Sequence, residues 1–172
     1  MNRAESGAAV AVVCAMLLGG CVSYDGRGLI AGQSTAAEVE ASMGRPAERL
    51  AKADGGSVLY YPRGPSGRHT YAVSLAADGK LQGIDQRLTH ANAMKLMVGS
   101  STAKEVRELF GPPSMVAHYA RQGRDVWEYK WLEGEDKRVF WLQFSGDGIL
   151  REAINMHDLD SDPPGGPGGD MP

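Results

Sequence analysis

Hydrophobic and polar residues along this chain follow two rhythms, and the pair of rhythms occurs twice. After Thr35 and again after Thr102 the apolar residues recur at helical spacing, Val39 and Met43 in one stretch and Val106, Leu109 and Phe110 in the other. Each stretch predicts a short helix with one apolar face. Thr35 with Glu38, and Thr102 with Glu105, have the spacing of a capping box, in which the hydroxyl accepts a first-turn N–H and the carboxylate reaches back to the N-cap. Gly44 and Gly111 can take the left-handed conformation that ends a helix, and Pro46 and Pro113 prevent its continuation. Beyond each stop the rhythm becomes alternation of period two, bounded by turn residues. Strands are expected near residues 47–51, 57–61, 70–76 and 80–87, then near 114–120, 125–132, 138–144 and 149–156. Asp54-Gly55, Asp78-Gly79, Gln122-Gly123, Gly134 and Asp147-Gly148 mark the turns, and connections this short imply antiparallel meanders. A further helix is expected over 90–98; its counterpart around 26–31 is broken by glycines.

The two rhythms are copies of one unit. LIAGQSTAAEVEASMGRP (29–46) and LMVGSSTAKEVRELFGPP (96–113) agree at nine of eighteen positions, with an offset of 67 residues. Val58–Tyr61 then matches Val126–Tyr129 at an offset of 68, and Asp78-Gly79 matches Asp147-Gly148 at 69. Three ordered blocks with slowly drifting offsets identify a tandem repeat. The expected fold is therefore α+β: two tandem repeats, each one or two short helices packed on an antiparallel meander of about four strands. The first copy is set at 29–88 and the second at 89–157, with 21–28 as a linker.

Eight of the eleven aromatic residues between Leu29 and His157 lie in the second copy. Alternation puts Trp127, Tyr129 and Trp131 on one strand face toward the helices, and Phe140, Leu142 and Phe144 likewise on the next. Trp141 and Gln143 then point the other way and are the candidate protein-binding residues, because an exposed Trp buries a large area at small conformational cost. The alternative is that Trp141 packs against the other repeat. Nothing points to catalysis: His69, His90, His118 and His157 have no metal-ligand spacing, Gly64-Pro65-Ser66-Gly67 lacks the Lys-Ser/Thr of a phosphate loop, and no nucleophile elbow occurs. The chain is expected to be no enzyme, with no cofactor, no metal and no small-molecule substrate.

The ends differ from the body. Ala8–Leu18 is an apolar run of eleven residues behind Arg3, too short to span a bilayer but suited to a secretory signal. From Pro163 to Pro172 eight of ten residues are Gly or Pro, preceded by Asp158, Asp160 and Asp162, so 158–172 reads as a disordered acidic tail. Those aspartates do not open a calcium loop, since its sixth position is Pro163 and its twelfth Gly169. The tail's four acids exceed the net charge of −3, and the stretch from Cys21 to His157 carries +1. A body so near neutrality excludes the concentrated basic face that nucleic-acid binding requires. About 130 residues remain for folding, which suits a binding module better than a large cofactor enzyme.

Leu18-Gly19-Gly20-Cys21 resembles the cleavage box of a bacterial lipoprotein signal. That resemblance implies removal of residues 1–20 and lipidation of Cys21, whose acyl chains would tether the protein to a membrane without spanning it. An uncleaved N-terminal anchor, or a plain signal with Cys21 as a passive small residue, is the alternative. With Cys14 removed and Cys21 lipidated, no thiol is left for a disulfide. Val22 stands where an inner-membrane retention Asp would follow the cysteine, which favours the outer membrane. The motifs GQSTAAEV with GRP, and GSSTAKEV with GPP, followed by strands, resemble the BamE (SmpA/OmlA) outer-membrane lipoprotein family and the related beta-lactamase-inhibitory-protein-like repeat. BamE has a single such unit; two in tandem are closer to the inhibitor architecture. The resemblance implies a periplasm-facing outer-membrane lipoprotein that binds an envelope protein, with the outer-membrane assembly machinery as one such partner. An inhibitor or sequestering module that binds a periplasmic enzyme through its open sheet is the alternative.

Overall fold

The computed structural model describes residues 23–64 and 67–159; the N-terminal apolar run, Cys14, Cys21 and the Gly/Pro-rich tail lie outside the described residues. The chain forms α1 (Ala36–Met43), β1 (Glu48–Ala51), β2 (Ser57–Arg63), β3 (His69–Leu75) and β4 (Leu81–Gln86). It continues with α2 (His90–Ala93), α3 (Ala103–Phe110), β5 (Met115–Tyr119), β6 (Arg124–Glu133), β7 (Asp136–Ser145) and β8 (Leu150–His157). The strands pair antiparallel in chain order into two separate sheets, β1-β2-β3-β4 and β5-β6-β7-β8. The fold is α+β, and its two halves repeat the same order of parts.

The shared residues explain why. Both capping boxes are closed: Thr35 Oγ1 accepts from Glu38 N at 3.3 Å while Glu38 Oε2 accepts from Thr35 N at 2.7 Å. Thr102 and Glu105 repeat this at 3.1 and 2.7 Å. These backbone N–H bonds, and the threonine hydroxyl bonds after them, hold both carboxyls below their ordinary range. The residues just before each cap belong to the sheet. Gly32 N donates to Leu81 O and Leu81 N to Ser34 O, and Gly99, Leu150 and Ser101 do the same in the second copy. Ala36 N and Ala103 N donate to Gly79 O and Gly148 O, within the two Asp-Gly turns. The first and third blocks of the repeat are thus one hydrogen-bonded unit. The ladder irregularity also repeats, at Ser74/Leu75 and at the equivalent Gln143/Phe144.

Two expectations change in detail. Gly44 and Gly111 end their helices at φ 82° and 81°, but with ψ −168° and −161°: the backbone is extended and not left-handed helical, in a region that in practice only glycine occupies. The helix expected over 90–98 is only His90–Ala93. Asn92 turns its amide onto Arg87 O at 2.9 Å, and the chain turns tightly at residues 98–100, where Gly99 takes φ 86° and Ser101 N donates to Met97 O, so the helix does not run on to 98.

There are two cores. Val39 and Met43 of α1 pack on Leu59, Tyr61, Val73, Leu75 and Leu81; Val106 and Phe110 of α3 pack on Tyr129, Trp131, Phe140, Leu142, Phe144 and Leu150. Leu88, at the boundary between the copies, belongs to the second core. The copies meet where the C-terminal turn of α3 lies against the face of the first sheet that points away from α1. Tyr60, on that face, donates its hydroxyl to Glu108 O at 2.6 Å, and Arg107 Nε donates to both oxygens of Glu48 at 2.8 and 3.0 Å. Arg107 also lies 5.7 Å from the Trp127 ring centroid, so one guanidinium joins both sheets. A Cβ on Gly111 would stand 2.6 Å from Tyr60 Cδ1 and 3.2 Å from Thr70 Cγ2, so this glycine serves both the turn and the close approach.

Candidate binding surface

The second sheet has the same two faces as the first. Its inner face carries the core aromatics as the alternation requires, Tyr129 and Trp131 buried and Trp127 half-buried against Phe144. Its outer face is equivalent to the one that α3 meets on the first sheet, and among the described residues no helix lies over it. Registers place Met115 opposite Glu128, Glu128 opposite Trp141 and Trp141 opposite Ile154, with Val139 opposite Met156. An apolar stripe therefore crosses all four strands, interrupted by Glu128. Met115 is 48% exposed and Met156 37%.

Trp141 lies on this outer face and is half-buried; its indole Nε1 donates to Glu128 Oε2 at 3.0 Å. Ser114 Oγ donates to the other Glu128 oxygen at 3.1 Å, which fixes the carboxylate that holds the indole. Gln143, two residues on, is also half-buried, opposite Glu152 of β8. With Val139, Met156 and Leu159, Trp141 lines a shallow hollow of about 160 Å³, whose lining belongs wholly to the second copy and the residues just after it.

The rim of this face is fixed by a group whose role sequence reading places elsewhere. Asp158, expected to open the disordered tail, is 3% exposed and is bound to both copies. Its carboxylate lies 2.5 Å from Arg68 Nη2 and 3.5 Å from Lys130 Nζ, and its backbone N donates to Lys137 O at 2.9 Å. Burial opposes its ionisation, but the Arg68 hydrogen bond and the Lys130 charge outweigh burial and hold the carboxyl below the ordinary aspartate range. Arg68 comes from the β2–β3 connection of the first copy and also points Nη1 at Trp131 O and Arg138 O, each at 3.4 Å. Composition places Asp158 in the tail, because no local pattern reveals a partner 90 positions earlier.

The histidines do not converge. His69 meets the Tyr24 hydroxyl at 3.2 Å, His90 stacks on Trp131, and His118 lies 2.5 Å from Asp125 on the second sheet. Among the described residues no three His, Cys, Asp or Glu are grouped to hold a metal, and no helix is long and apolar enough to cross a membrane.

No family model matches the chain and no curated protein does, so the likeness of its cap-and-turn motifs to BamE proteins stays a resemblance. Among solved structures it overlaps a DUF4309 family protein (YjgB) from Bacillus subtilis, at 18% identity and a TM-score of 0.28 over 76% of this chain and 82% of that one. It also overlaps a protein described as a "putative beta-lactamase inhibitor protein" from Streptococcus mutans, at 13% identity and a TM-score of 0.32, over 72% and 82%. Overlaps this loose carry nothing about binding or activity. The surface therefore has to be read from its own residues.

Proposed function

We propose that this protein is a lipid-anchored, periplasm-facing module of the outer membrane that binds protein through the outer face of its second sheet, as an accessory to outer-membrane protein assembly or envelope integrity. The observation that supports binding is the asymmetry between equivalent faces. The first sheet sets Tyr60 and Ala72, at most 1% exposed, under α3, whereas the second presents Glu128, Trp141, Ile154 and Met156 at the outside. A half-buried Trp beside exposed Met on a rigid sheet is the composition of an interface anchor. The anchor reading rests on the N-terminal sequence, the apolar run Ala8–Leu18 and the box Leu18-Gly19-Gly20-Cys21.

Crosslinking in native membranes tests the partner. Co-purification of barrel-assembly components supports the proposal, while capture of a soluble periplasmic hydrolase replaces it with an inhibitor. Trp141→Ala is expected to weaken partner capture at least tenfold, about 1.4 kcal/mol, with little change in melting temperature; a cooperative loss of stability instead would show that the indole serves the fold. Radioactive palmitate should label the wild type and not Cys21→Ala, and equal labelling of both removes the anchor.

A further inference from the structure

Between the first sheet's outer face and α3 the copies do not close completely. A cleft of about 520 Å³ is lined by Leu50, Val58 and Tyr60 of the sheet and by Lys104 and Glu108 of α3. A second hollow of about 400 Å³, floored by Leu96 and Leu109, adjoins it, and the two share Arg87 and Glu108. Each is in the size range of small-ligand sites and sets an apolar floor beside a charged rim, Lys52, Asp54 and Lys104 in the first and Lys95 and Glu105 in the second.

The charged side chains around the cleft differ in how completely they are held. Lys52 meets Asp54 at 2.9 Å, Lys95 meets Asn92 Oδ1 at 2.7 Å, and Lys104 lies 3.8 Å from Glu108; Glu105 is occupied by its own N-cap. Arg87 is held incompletely: its Nε is buried with no hydrogen-bond partner among the described residues, and its ion pair to Asp85, 3.7 Å from Nη2, is to a largely exposed carboxylate. A guanidinium whose ion pair is long and to an exposed carboxylate keeps a planar fork of terminal N–H groups, which is best satisfied by a carboxylate bound through two parallel hydrogen bonds.

We propose that the cleft between the two copies binds a monocarboxylate with an apolar body, its carboxylate on Arg87 and its body over Leu50, Val58 and Tyr60. This site is separate from the outer face of the second sheet and needs neither the anchor nor the partner assigned above. Two sources share the chemistry, a free aliphatic acid and the C-terminus of an apolar peptide.

The test uses the full-length chain, titrated by calorimetry and by NMR with octanoate and with N-acetyl-Ala-Leu-Leu, each beside its neutral analogue, 1-octanol and the peptide amide. At least one acid is expected to bind with Kd below about 1 mM, to shift Tyr60 and Arg87 resonances, and to exceed its neutral analogue at least tenfold. Binding by octanoate alone assigns the aliphatic acid, and by the peptide alone the C-terminus. Arg87→Met should weaken binding at least tenfold and Arg87→Lys, which keeps the charge but loses the fork, by less. Leu50→Trp, which fills the cleft from a half-exposed position, should block binding with Arg87 intact and serves if an Arg87 variant does not fold. Equal affinity for acid and neutral analogue, undiminished binding by Arg87→Met or Leu50→Trp, or no shift with either acid at about 5 mM would overturn the site.

Discussion

Replacing Asp158 with Asn removes one charge from the cluster that ties the second copy's last strand to the first copy. The Arg68 and Asp158 side chains are 11% and 4% exposed, and Lys130 is 18% exposed, so Asp158→Asn leaves two largely buried cations without a counterion among the described residues. Breaking a buried pair from one side costs about 3–5 kcal/mol, because the remaining charge is uncompensated. The Nη1 contacts of Arg68 to Trp131 O and Arg138 O survive but are long, which places the expected loss near the lower bound, about 3 kcal/mol. For a folded body of this size that is a fall in melting temperature of about 10 °C at pH 7. The pH dependence separates charge from packing. The folded carboxyl titrates below its ordinary value, so its stabilisation is complete above about pH 4, the unfolded pKa, and disappears as pH falls through the folded pKa. Melting curves followed by circular dichroism should therefore differ at pH 7 and converge toward about pH 2. A shift below about 2 °C at pH 7, or a gap that stays constant into acid, would refute the role given to the cluster.

Gly111→Ala forces a positive φ on a residue with a Cβ and drives that Cβ to 2.6 Å from Tyr60, so a loss of about 2–4 kcal/mol in chemical denaturation is expected. Thr35→Ala and Thr102→Ala each remove one capping box, for about 1 kcal/mol apiece, and the double variant should show their sum because the caps serve different cores. Tyr129, buried with its hydroxyl donating to Gly111 O at 3.0 Å, has its phenol pKa pushed up by burial. Its stabilisation is full below about pH 10 and declines above it, as the unfolded phenol ionises and the folded one does not. Tyr129→Phe should lose about 1 kcal/mol at neutral pH and show a shallower decline in alkali, read from urea midpoints between about pH 8 and 11.

What could be read along the chain was whatever depends on neighbours a few positions apart. A capping box needs only residues i and i+3, a glycine stop only its own φ, and a strand face only alternation. For that reason α1 and α3, all eight strands and the inward turn of Tyr129, Trp131, Phe140 and Phe144 follow from spacing. The repeat itself carried one long-range fact, that Ser34 and Ser101 travel with Asp78-Gly79 and Asp147-Gly148, since those segments bond to each other in both copies. The docking of one copy on the other left no periodic mark. Tyr60 reaches Glu108 across 48 positions and Arg68 reaches Asp158 across 90, through contacts set by how two finished modules fit together. One trace was present: core positions keep their chemistry between copies, whereas the outer-face pairs Tyr60/Glu128 and Ala72/Trp141 do not. Only the tertiary structure shows the cause, because the same sheet face meets a helix in the first copy and, among the described residues, meets none in the second.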